Sequence, residues 1–519
     1  MAGPNELIAA LQDPAAYLHP AERVALVETH ISWVLLAGEF AYKIKKPLTL
    51  PFLDYATLDQ RRAGCDAELA LNRRWAPGLY LDVVGIGGPA DEPPRLGGTP
   101  VREWAVAMRR FDTRQVGDAL CRAGALTAAD LRDLAKRLAA WQADAPVAPA
   151  DSPFGAPASI IDPARDNFIT LRDLRPGDRR IDALAAWTDN AFAGQAARFA
   201  ARRDAGRVRE GHGDLHLGNL VRLDDALTPF DGIEFCDAFR WIDVASDIAF
   251  LWMDLRDRNR PDLAAAFLDA WLTASGDFDA LGVLRFYAVY RAVVRAKIAA
   301  LRADQKPNTT TQADEAGAYL DLAGRIAGGG NETPAAPPAL AITCGLSGSG
   351  KTTQSTAWLE TDPDARRIRI RSDVERKRLF GLEPLAHSRS AVGDGIYTPE
   401  ANTRTYDRLA ALARAALADG WSVVVDAAFL RRAERHAFAT LARECGASFG
   451  ILYCTADDTE LARRVANRQG DPSEATVAVV ARQRQWFEPL DADEHARCIV
   501  LDTGVTPDAP TPSAVSPRL

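Results

Sequence analysis

The sequence predicts two domains of different fold classes, an α+β domain with two lobes and then an α/β domain built on a parallel sheet. Three observations predict this. Short strand-like segments early in the chain give way to long helical segments. Residues 327–338 read AGGGNETPAAPP, and such a run of glycine and proline cannot continue a helix or a strand. Beyond this run, apolar strands alternate with helices, which is typical of a parallel sheet covered on both faces.

The length of the chain supports this division. A chain of 519 residues is too long for one hydrophobic core. We predict a first domain over 1–326, a linker over 327–338 and a second domain over 339–505. The remaining residues, 506–519, are rich in proline and poor in apolar side chains, so we predict a disordered tail there.

Charge and composition exclude several classes of protein. With 62 basic and 70 acidic residues the net charge is −8, which gives no overall attraction to nucleic acid or to an anionic membrane. Seven scattered cysteines without a CxxC pair indicate neither a disulfide framework nor a zinc site. Residues 1–19 lack the pattern of a signal peptide. No apolar stretch reaches the roughly 18 residues of a membrane span. We therefore expect a cytoplasmic protein without a membrane partner; its oligomeric state is not predicted.

The first domain begins with strands and becomes helical. Predicted strands and helices are a hairpin (31–36 and 40–45), a helix (61–75), two further strands (79–86 and 103–111) and mostly helix over 127–328, with a strand-rich patch over 211–235. A small lobe with a sheet followed by a larger helical lobe is the layout of the protein-kinase-like fold.

A phosphate-binding loop opens the second domain. Residues 345–352 read GLSGSGKT, which satisfies G-x-x-x-x-G-K-[ST] between an apolar strand (339–344) and a helical run (353–359). Glycines let backbone N–H groups turn toward the phosphates, and the helix N-terminus adds a positive dipole. Lys351 can reach the outer phosphates, and the Thr352 hydroxyl can bind Mg²⁺. The predicted nucleotide-binding residues of this P-loop are Gly345, Ser347, Gly348, Ser349, Gly350, Lys351, Thr352 and Thr353.

A carboxylate follows the next predicted strand, 367–370. Asp373 could accept the proton of an acceptor hydroxyl, which is the role of the base in phosphoryl transfer. Arg376 lies about one helical turn further on, so it could bind substrate or phosphate on the same face. The alternative, an aspartate at a helix start beside a solvated arginine, remains open at this point.

Two further features complete the second predicted site. Asp426 ends the buried strand 422–426, which suits a position near the metal. Arg464 and Arg468 are four residues apart on a predicted helix, so they share a face and could close over the phosphates as a lid. An exposed basic helix face is the alternative for this pair.

The segment from about Leu340 to Asp502 resembles the small P-loop kinases, which include polynucleotide 5′-kinases, zeta-toxin-like sugar-nucleotide kinases and gluconate kinases. The resemblance rests on the P-loop, the Ser372-Asp373-x-x-Arg376 motif, the strand ending in Asp426, and the pair Arg464/Arg468 followed by Ser473-Glu474-Ala475. It implies that Asp373 activates the acceptor and that Arg376 binds substrate. No extended basic stripe accompanies these motifs, which disfavours nucleic acid as the acceptor.

The first domain has its own catalytic pattern. Residues 212–219 read HGDLHLGN, and an aspartate and an asparagine five apart on a short loop can divide the work of phosphoryl transfer. Asp214 would take the proton of an acceptor hydroxyl, and Asn219 would hold Mg²⁺. The following PFDG segment supplies Asp231 as a second metal ligand, with Glu234 as a rival. No third soft ligand lies nearby, which disfavours zinc.

This region, roughly Thr29 to Leu301, resembles the aminoglycoside phosphotransferases. The resemblance implies an ATP-binding lysine on an early strand, where Lys43 and Lys45 are same-face candidates; Lys43 fits the Ala-x-Lys pattern better. Its partner would be Glu68. The acidic residues Asp243 and Asp247 would brace the catalytic loop, so we expect them to have a structural and not a catalytic role. A glycine-rich loop before the lysine is missing, as it often is in that family.

The pairing of both domains resembles a group of bacterial fused proteins described only as kinases. We therefore expect an ATP-dependent kinase with ATP and Mg²⁺ as cofactors. Each domain would phosphorylate a hydroxyl group of a small molecule such as a sugar or a nucleoside. Two alternatives remain: one domain is an ATP-sensing regulatory module, or the second domain is a kinase of nucleic-acid 5′-hydroxyl ends. The acceptor of either domain is not predicted.

Overall fold

The computed structural model describes residues 4–305, 314–328, 337–388, 390 and 394–504. Contacts divide the chain into two compact units. Unit 1 comprises Met1–Leu126, Ala145–Pro163 and Phe199–Leu251; unit 2 comprises Thr127–Asp144, Ala164–Arg198 and Trp252–Leu519. The predicted tail 506–519 and most of the predicted linker lie outside the described residues. The domain boundaries given above stay a prediction.

The first half of the chain combines short strands with long helices. Its strands are β1 (Val24–Glu28), β2 (Ser32–Ala37), β3 (Phe40–Lys45), β4 (Thr49–Leu50), β5 (Leu53–Asp54), β6 (Tyr80–Gly87), β7 (Arg95–Leu96), β8 (Val101–Arg109), β9 (Val208–Glu210), β10 (Leu220–Leu223), β11 (Ala226–Pro229) and β12 (Trp241–Asp243). Its helices are α1 (Pro4–Ala10), α2 (Leu58–Asn72), α3 (Gly117–Arg122), α4 (Ala128–Asp144), α5 (Pro157–Leu174), α6 (Arg179–Asp204), α7 (Asp237–Arg240), α8 (Val244–Asp257), α9 (Pro261–Ser275), α10 (Leu281–Gln305) and α11 (Glu315–Ala327).

Unit 1 is organised by an antiparallel sheet in the order β1-β2-β3-β8-β6-β7. Strands β2 and β3 form the predicted hairpin, which turns at Gly38 with φ of +56°. Helix α2 begins with a capping box in which Thr57 and Gln60 exchange hydrogen bonds, as its sequence favours. The buried Cys65 of α2 packs with β6 and β8 in one apolar cluster. This packing places α2 beside β3, where the candidate lysines are.

The second half of the chain alternates strands and helices. Its strands are β13 (Ala339–Cys344), β14 (Arg367–Arg371), β15 (Ser422–Asp426), β16 (Ser448–Thr455) and β17 (Cys498–Asp502). Its helices are α12 (Lys351–Glu360), α13 (Ser372–Leu379), α14 (Pro399–Ala418), α15 (Arg432–Glu444), α16 (Asp458–Ala466), α17 (Val477–Trp486) and α18 (Ala492–His495).

These five strands form one parallel sheet in the order β14-β15-β13-β16-β17. The predicted strands 339–344 and 422–426 coincide with β13 and β15, whose near-continuous apolar runs are buried on both faces. Because all strands are parallel, their carboxyl ends meet at one edge, where ligands of such sheets bind. The predicted α/β class of this half is confirmed.

Candidate functional site

The lysine pair of unit 1 lies on β3 and meets the glutamate of α2. Lys43 Nζ lies 2.8 Å from Glu68 Oε1, and Lys45 contacts the other oxygen of the same carboxylate. Burial opposes the charge of Glu68, but the two ammonium groups prevail and lower its pKa to about 2. Both same-face lysines, the favoured Lys43 and its rival Lys45, therefore bind Glu68.

The two lysines differ in their second partner and in their exposure. Lys43 also lies 2.5 Å from Asp231, whose side chain is 45% exposed. Lys45 is fully buried and contacts Glu234, which also accepts a hydrogen bond of 3.0 Å from the Tyr55 hydroxyl. Lys43 therefore lies at the open side of the cluster, beside the predicted metal ligand. Lys45 and Glu234 neutralise each other inside the cluster.

A buried carboxylate holds the loop 212–219, the predicted catalytic loop. Asp247 accepts hydrogen bonds from the backbone N–H groups of His212 and Gly213, at 2.8 and 2.9 Å. The His212 ring lies 3.0 Å from the carbonyl oxygen of Phe230, and burial lowers the pKa of this imidazole. Asp243 instead forms a buried pair with Arg202 at 2.7 Å. Asp247 thus connects directly to the loop, whereas Asp243 contacts a neighbouring helix.

The loop brings the predicted base and one predicted metal ligand together. The Asn219 amide donates to the Asp214 backbone oxygen at 3.0 Å and to its carboxylate at 2.9 Å. Asn219 and Phe230 are also linked by a backbone hydrogen bond of 3.0 Å, and Asp231 follows directly. Asp231 has a φ of +59°, an uncommon left-handed conformation for a residue other than glycine.

The P-loop of unit 2 follows the central strand β13. Gly345 and Gly348 have φ values of +140° and +87°, which a larger residue rarely adopts. A Cβ atom on Gly345 would lie 2.3 Å from the Cys454 carbonyl oxygen, so glycine is also required by space. Lys351 donates to the carbonyl oxygens of Gly345 and Leu346 at 2.9 and 2.7 Å, and burial lowers its pKa.

A cavity of about 880 Å³ opens at the P-loop. It is lined by predicted site residues from four parts of the sequence. These are Ser347, Gly348, Gly350, Lys351, Thr352, Thr353, Asp373, Arg376, Asp426, Arg464 and Arg468. Gly345 and Ser349 belong to the same loop but do not line the cavity, and the Ser349 hydroxyl is buried without a hydrogen-bond partner among the described residues.

The Thr352 hydroxyl donates to the Asp426 carboxylate at 2.9 Å. Strand β15 places Asp426 at its carboxyl end, directly beside the P-loop. Arg371, at the end of β14, lies 3.7 Å from the same carboxylate. A hydroxyl and a carboxylate in contact beside a phosphate-binding loop offer the hard oxygen ligands that Mg²⁺ prefers.

Asp373 and Arg376, on helix α13, have different surroundings. Asp373 is half-buried, and no ion pair within the described part of the chain neutralises its carboxylate. Arg376 is buried and donates to the Ile396 carbonyl oxygen and to the Asn402 amide oxygen, both at 2.9 Å. Asp373 can therefore accept a proton in the cavity, whereas Arg376 also fixes the segment that leads into α14.

The two arginines predicted to form a lid, Arg464 and Arg468, also differ. Arg464, on α16, donates to the Gly348 carbonyl oxygen at 3.2 Å and to the Thr503 hydroxyl at 2.8 Å, so it braces the P-loop. Arg468 follows α16, and its Nη1 is buried without a hydrogen-bond partner among the described residues. A buried cationic donor at the wall of a phosphate-binding cavity is suited to bind an anion.

Sequence reasoning missed several residues that line the cavity. Gln483 accepts a hydrogen bond of 2.8 Å from the Ser347 backbone N–H. Asp471 lies 3.4 Å from Arg371. Glu434 and Tyr406 also line the cavity, and burial raises the pKa of both side chains. None of them belongs to a short motif, so only the folded chain brings them to the site.

The P-loop and the groups around its cavity form the arrangement of a nucleotide-binding domain. Residues 340–490 match the model of the AAA_33 family, described as an AAA domain. This match covers the P-loop and the residues around its cavity. Among the described residues, no helix is long and apolar enough to cross a membrane.

The chain also has relatives along most of its length. It is 30% identical over 470 residues to the uncharacterized protein Rv2004c of Mycobacterium tuberculosis, covering 88% of this chain and 90% of the relative. The uncharacterized protein Mb2027c of Mycobacterium bovis gives the same values. The chain belongs to the family of these mycobacterial proteins.

Solved structures give weaker likenesses. A sugar kinase from Janibacter sp. HTCC2649 is 22% identical with a TM-score of 0.25, covering 32% of this chain and 86% of that chain. A choline kinase from Cryptosporidium parvum Iowa II is 10% identical with a TM-score of 0.37, covering 58% and 87%. The parallel sheet and the P-loop assign the second half to the P-loop α/β class. The first half has an antiparallel sheet and long helices, the layout expected for a protein-kinase-like domain.

Proposed function

We propose that the chain is an ATP-dependent phosphotransferase with two catalytic sites. Each site transfers the terminal phosphoryl group of ATP to a hydroxyl group of a small molecule such as a sugar or a nucleoside. Mg²⁺ is the proposed metal of both sites. The domains behind them are the predicted ones, 1–326 and 339–505.

The observation that carries the proposal is the cavity at the P-loop. One space is lined by Lys351 and Arg468 for phosphate, by an oxygen pair suited to Mg²⁺, and by a carboxylate without an ion-pair partner in the described chain. Phosphoryl transfer requires these three kinds of group around one point. A protein that only bound the nucleotide would not need the carboxylate.

In the P-loop site, the loop N–H groups and Lys351 bind the phosphates, and Thr352 and Asp426 hold the metal. A bound Mg²⁺ ion would neutralise the charge of the phosphate oxygens. Asp373 takes the proton of the acceptor hydroxyl as that oxygen attacks phosphorus. Arg468 stabilises the negative charge that is transferred, and Arg464 keeps the P-loop in place.

In the site of unit 1, Asp214 is the proposed base, and the Asn219 amide fixes the orientation of its carboxylate. Asn219 and Asp231 would hold the metal. Lys43 would bind the ATP phosphates, with Glu68 orienting it; the 2.8 Å contact between these two supports this assignment. The exposure of Asp231 and the burial of Glu234 favour Asp231 over Glu234 as the metal ligand.

Release of ADP tests the proposal. We would measure it with a panel of sugars, nucleosides, nucleotide-sugars, aminoglycosides and 5′-hydroxyl oligonucleotides. Wild type, Asp214→Ala and Lys351→Ala would be compared with each compound. An acceptor that stimulates wild type and one variant, but not the other, assigns that acceptor to one site.

The same panel separates the alternatives. If no compound stimulates ADP release although both sites bind ATP, the phosphotransferase proposal is wrong and one or both sites sense the nucleotide. Stimulation by 5′-hydroxyl oligonucleotides alone, lost in Lys351→Ala and falling steeply with salt, would instead identify a nucleic-acid kinase.

A further inference from the structure

A buried ion pair in unit 2 connects helix α9 to strand β14. Asp269, in α9, binds Arg369 of β14 through two hydrogen bonds, of 3.2 Å from Nε and 2.6 Å from Nη2. Each side chain is only 7% exposed. A bidentate arginine–carboxylate pair at this depth fixes the orientation of both groups.

The remaining side of the guanidinium contacts the helix that follows the P-loop. Arg369 Nη1 donates to the Thr352 carbonyl oxygen at 3.2 Å and to the Thr356 hydroxyl at 2.7 Å. It also lies 3.2 Å from the Ser355 hydroxyl, which is 3.4 Å from Asp426. Arg369 therefore holds the first turn of α12, where Thr352 contacts the proposed metal ligand.

Two other contacts in unit 2, also between helices of the first half of the chain and the second half, lie away from the P-loop. Arg378 donates to the Thr273 carbonyl oxygen at 2.7 Å. Arg198, on α6, lies 2.7 Å from Asp419, which follows α14. These contacts join α9 to α13 and α6 to the end of α14 without touching the first turn of α12, so they provide a comparison for the pair Asp269–Arg369.

We propose that Asp269 is a positioning residue of the P-loop site, although it lies on a helix of the first half of the chain. Its carboxylate fixes Arg369, and Arg369 fixes Thr352 in the orientation that binds the metal of a Mg²⁺-nucleotide. This inference rests on the proposed function, because it needs a nucleotide and a metal at the P-loop. Loss of Asp269 leaves a buried guanidinium without its carboxylate, which frees the first turn of α12 to shift.

The test measures ATP affinity of the full-length chain, with and without Mg²⁺, by calorimetry. All variants carry Lys43→Ala, which removes the proposed phosphate contact of the other site. We expect Asp269→Asn to weaken ATP binding about tenfold in Mg²⁺, the order that hydrogen bonds to charged groups contribute. Binding without Mg²⁺ should change much less. Asp419→Asn, the matched control, should leave both affinities near those of the background.

The outcomes separate the two proposals. If Lys351→Ala binds Mg²⁺-ATP as well as the background does, the proposed function of the P-loop site fails. If Lys351→Ala loses ATP binding, but Asp269→Asn binds ATP with the same Mg²⁺ dependence as the background does, the positioning role of Asp269 is wrong. An equal effect of Asp419→Asn would also overturn it, because general destabilisation would then explain the result. If Asp269→Asn does not fold, Arg369→Lys gives the same test, because lysine keeps the positive charge but cannot bridge Asp269 and Thr352. In addition, Asp269→Glu should restore part of the ATP affinity that Asp269→Asn loses.

Discussion

Replacing Lys45 by methionine should destabilise the protein in a pH-dependent manner. The Lys45 and Glu68 side chains are fully buried, and the Glu234 side chain is 3% exposed. Methionine fills a similar volume but removes the positive charge. In the variant, Glu68 still contacts Lys43, and Glu234 still accepts a hydrogen bond from the Tyr55 hydroxyl. One buried negative charge therefore remains without a cation.

The size of the destabilisation can be estimated from the least costly way to remove that charge. This is the uptake of a proton by the carboxyl group of Glu68 or of Glu234. Protonating a glutamate of ordinary pKa, about 4.3, costs about 3.7 kcal/mol at pH 7 and about 1 kcal/mol at pH 5. Burial without a cation favours the protonated form of one of these carboxyls in the folded variant, so the folded state binds a proton that the unfolded chain releases. The loss of stability therefore grows as the pH rises above about 4.3.

Urea denaturation of wild type and Lys45→Met at pH 5 and pH 7 measures this difference. Lys46→Met is the control, since Lys46 binds the 61% exposed Glu28 and such surface pairs contribute about 1 kcal/mol or less. An equal loss for Lys45→Met at both pH values would refute the reasoning and indicate lost packing instead. A comparable loss for Lys46→Met would refute it as well.

Three further predictions concern the P-loop site. Thr352→Val should raise the Mg²⁺ concentration required for ADP release, since the hydroxyl beside Asp426 is lost; a Mg²⁺ titration measures this, and an unchanged midpoint would contradict the metal role. Asp373→Asn should lower turnover about 10²–10⁴-fold, the usual contribution of a general base, with unchanged ATP affinity by calorimetry. Arg468→Gln should reduce turnover more than Arg463→Gln, because Arg463 is exposed and paired with Glu460; equal turnover would show that Arg468 does not contact the transferred phosphate.

The sequence predicts the parallel sheet well because its central strands carry a local signal. Strands β13 and β15 are short apolar runs with turn residues at their ends, so their bounds follow from composition. Two edge strands lack this signal: β17 of the parallel sheet is half-exposed, and β7 of the antiparallel sheet has only two residues. Their pairing depends on neighbours that are distant in the sequence, which a local pattern does not contain.

The candidate sites show the same limit. The P-loop and the loop 212–219 were found because backbone geometry and chemistry confine their residues to a short stretch. The sequence favours Lys43 over Lys45 by the Ala-x-Lys pattern alone, since residues two apart on a strand share a face. The two lysines differ in their second partners, Asp231 for Lys43 and Glu234 for Lys45, which are nearly two hundred residues away in the sequence. Asp269 had no signal at all, because its role depends on a contact between α9 and β14.

The packing of α8, α9 and α10 against the P-loop half has a consequence for producing that half as a separate protein. Trp421 is 1% exposed and donates to the Leu281 carbonyl oxygen at 3.1 Å, next to Trp252. A chain that began at residue 337 would present this indole and the Arg369 guanidinium to water. The P-loop half would then lack part of its own interior. Within unit 2, the P-loop half thus shares packing with the helices that precede it, and a working P-loop enzyme would have to include those helices.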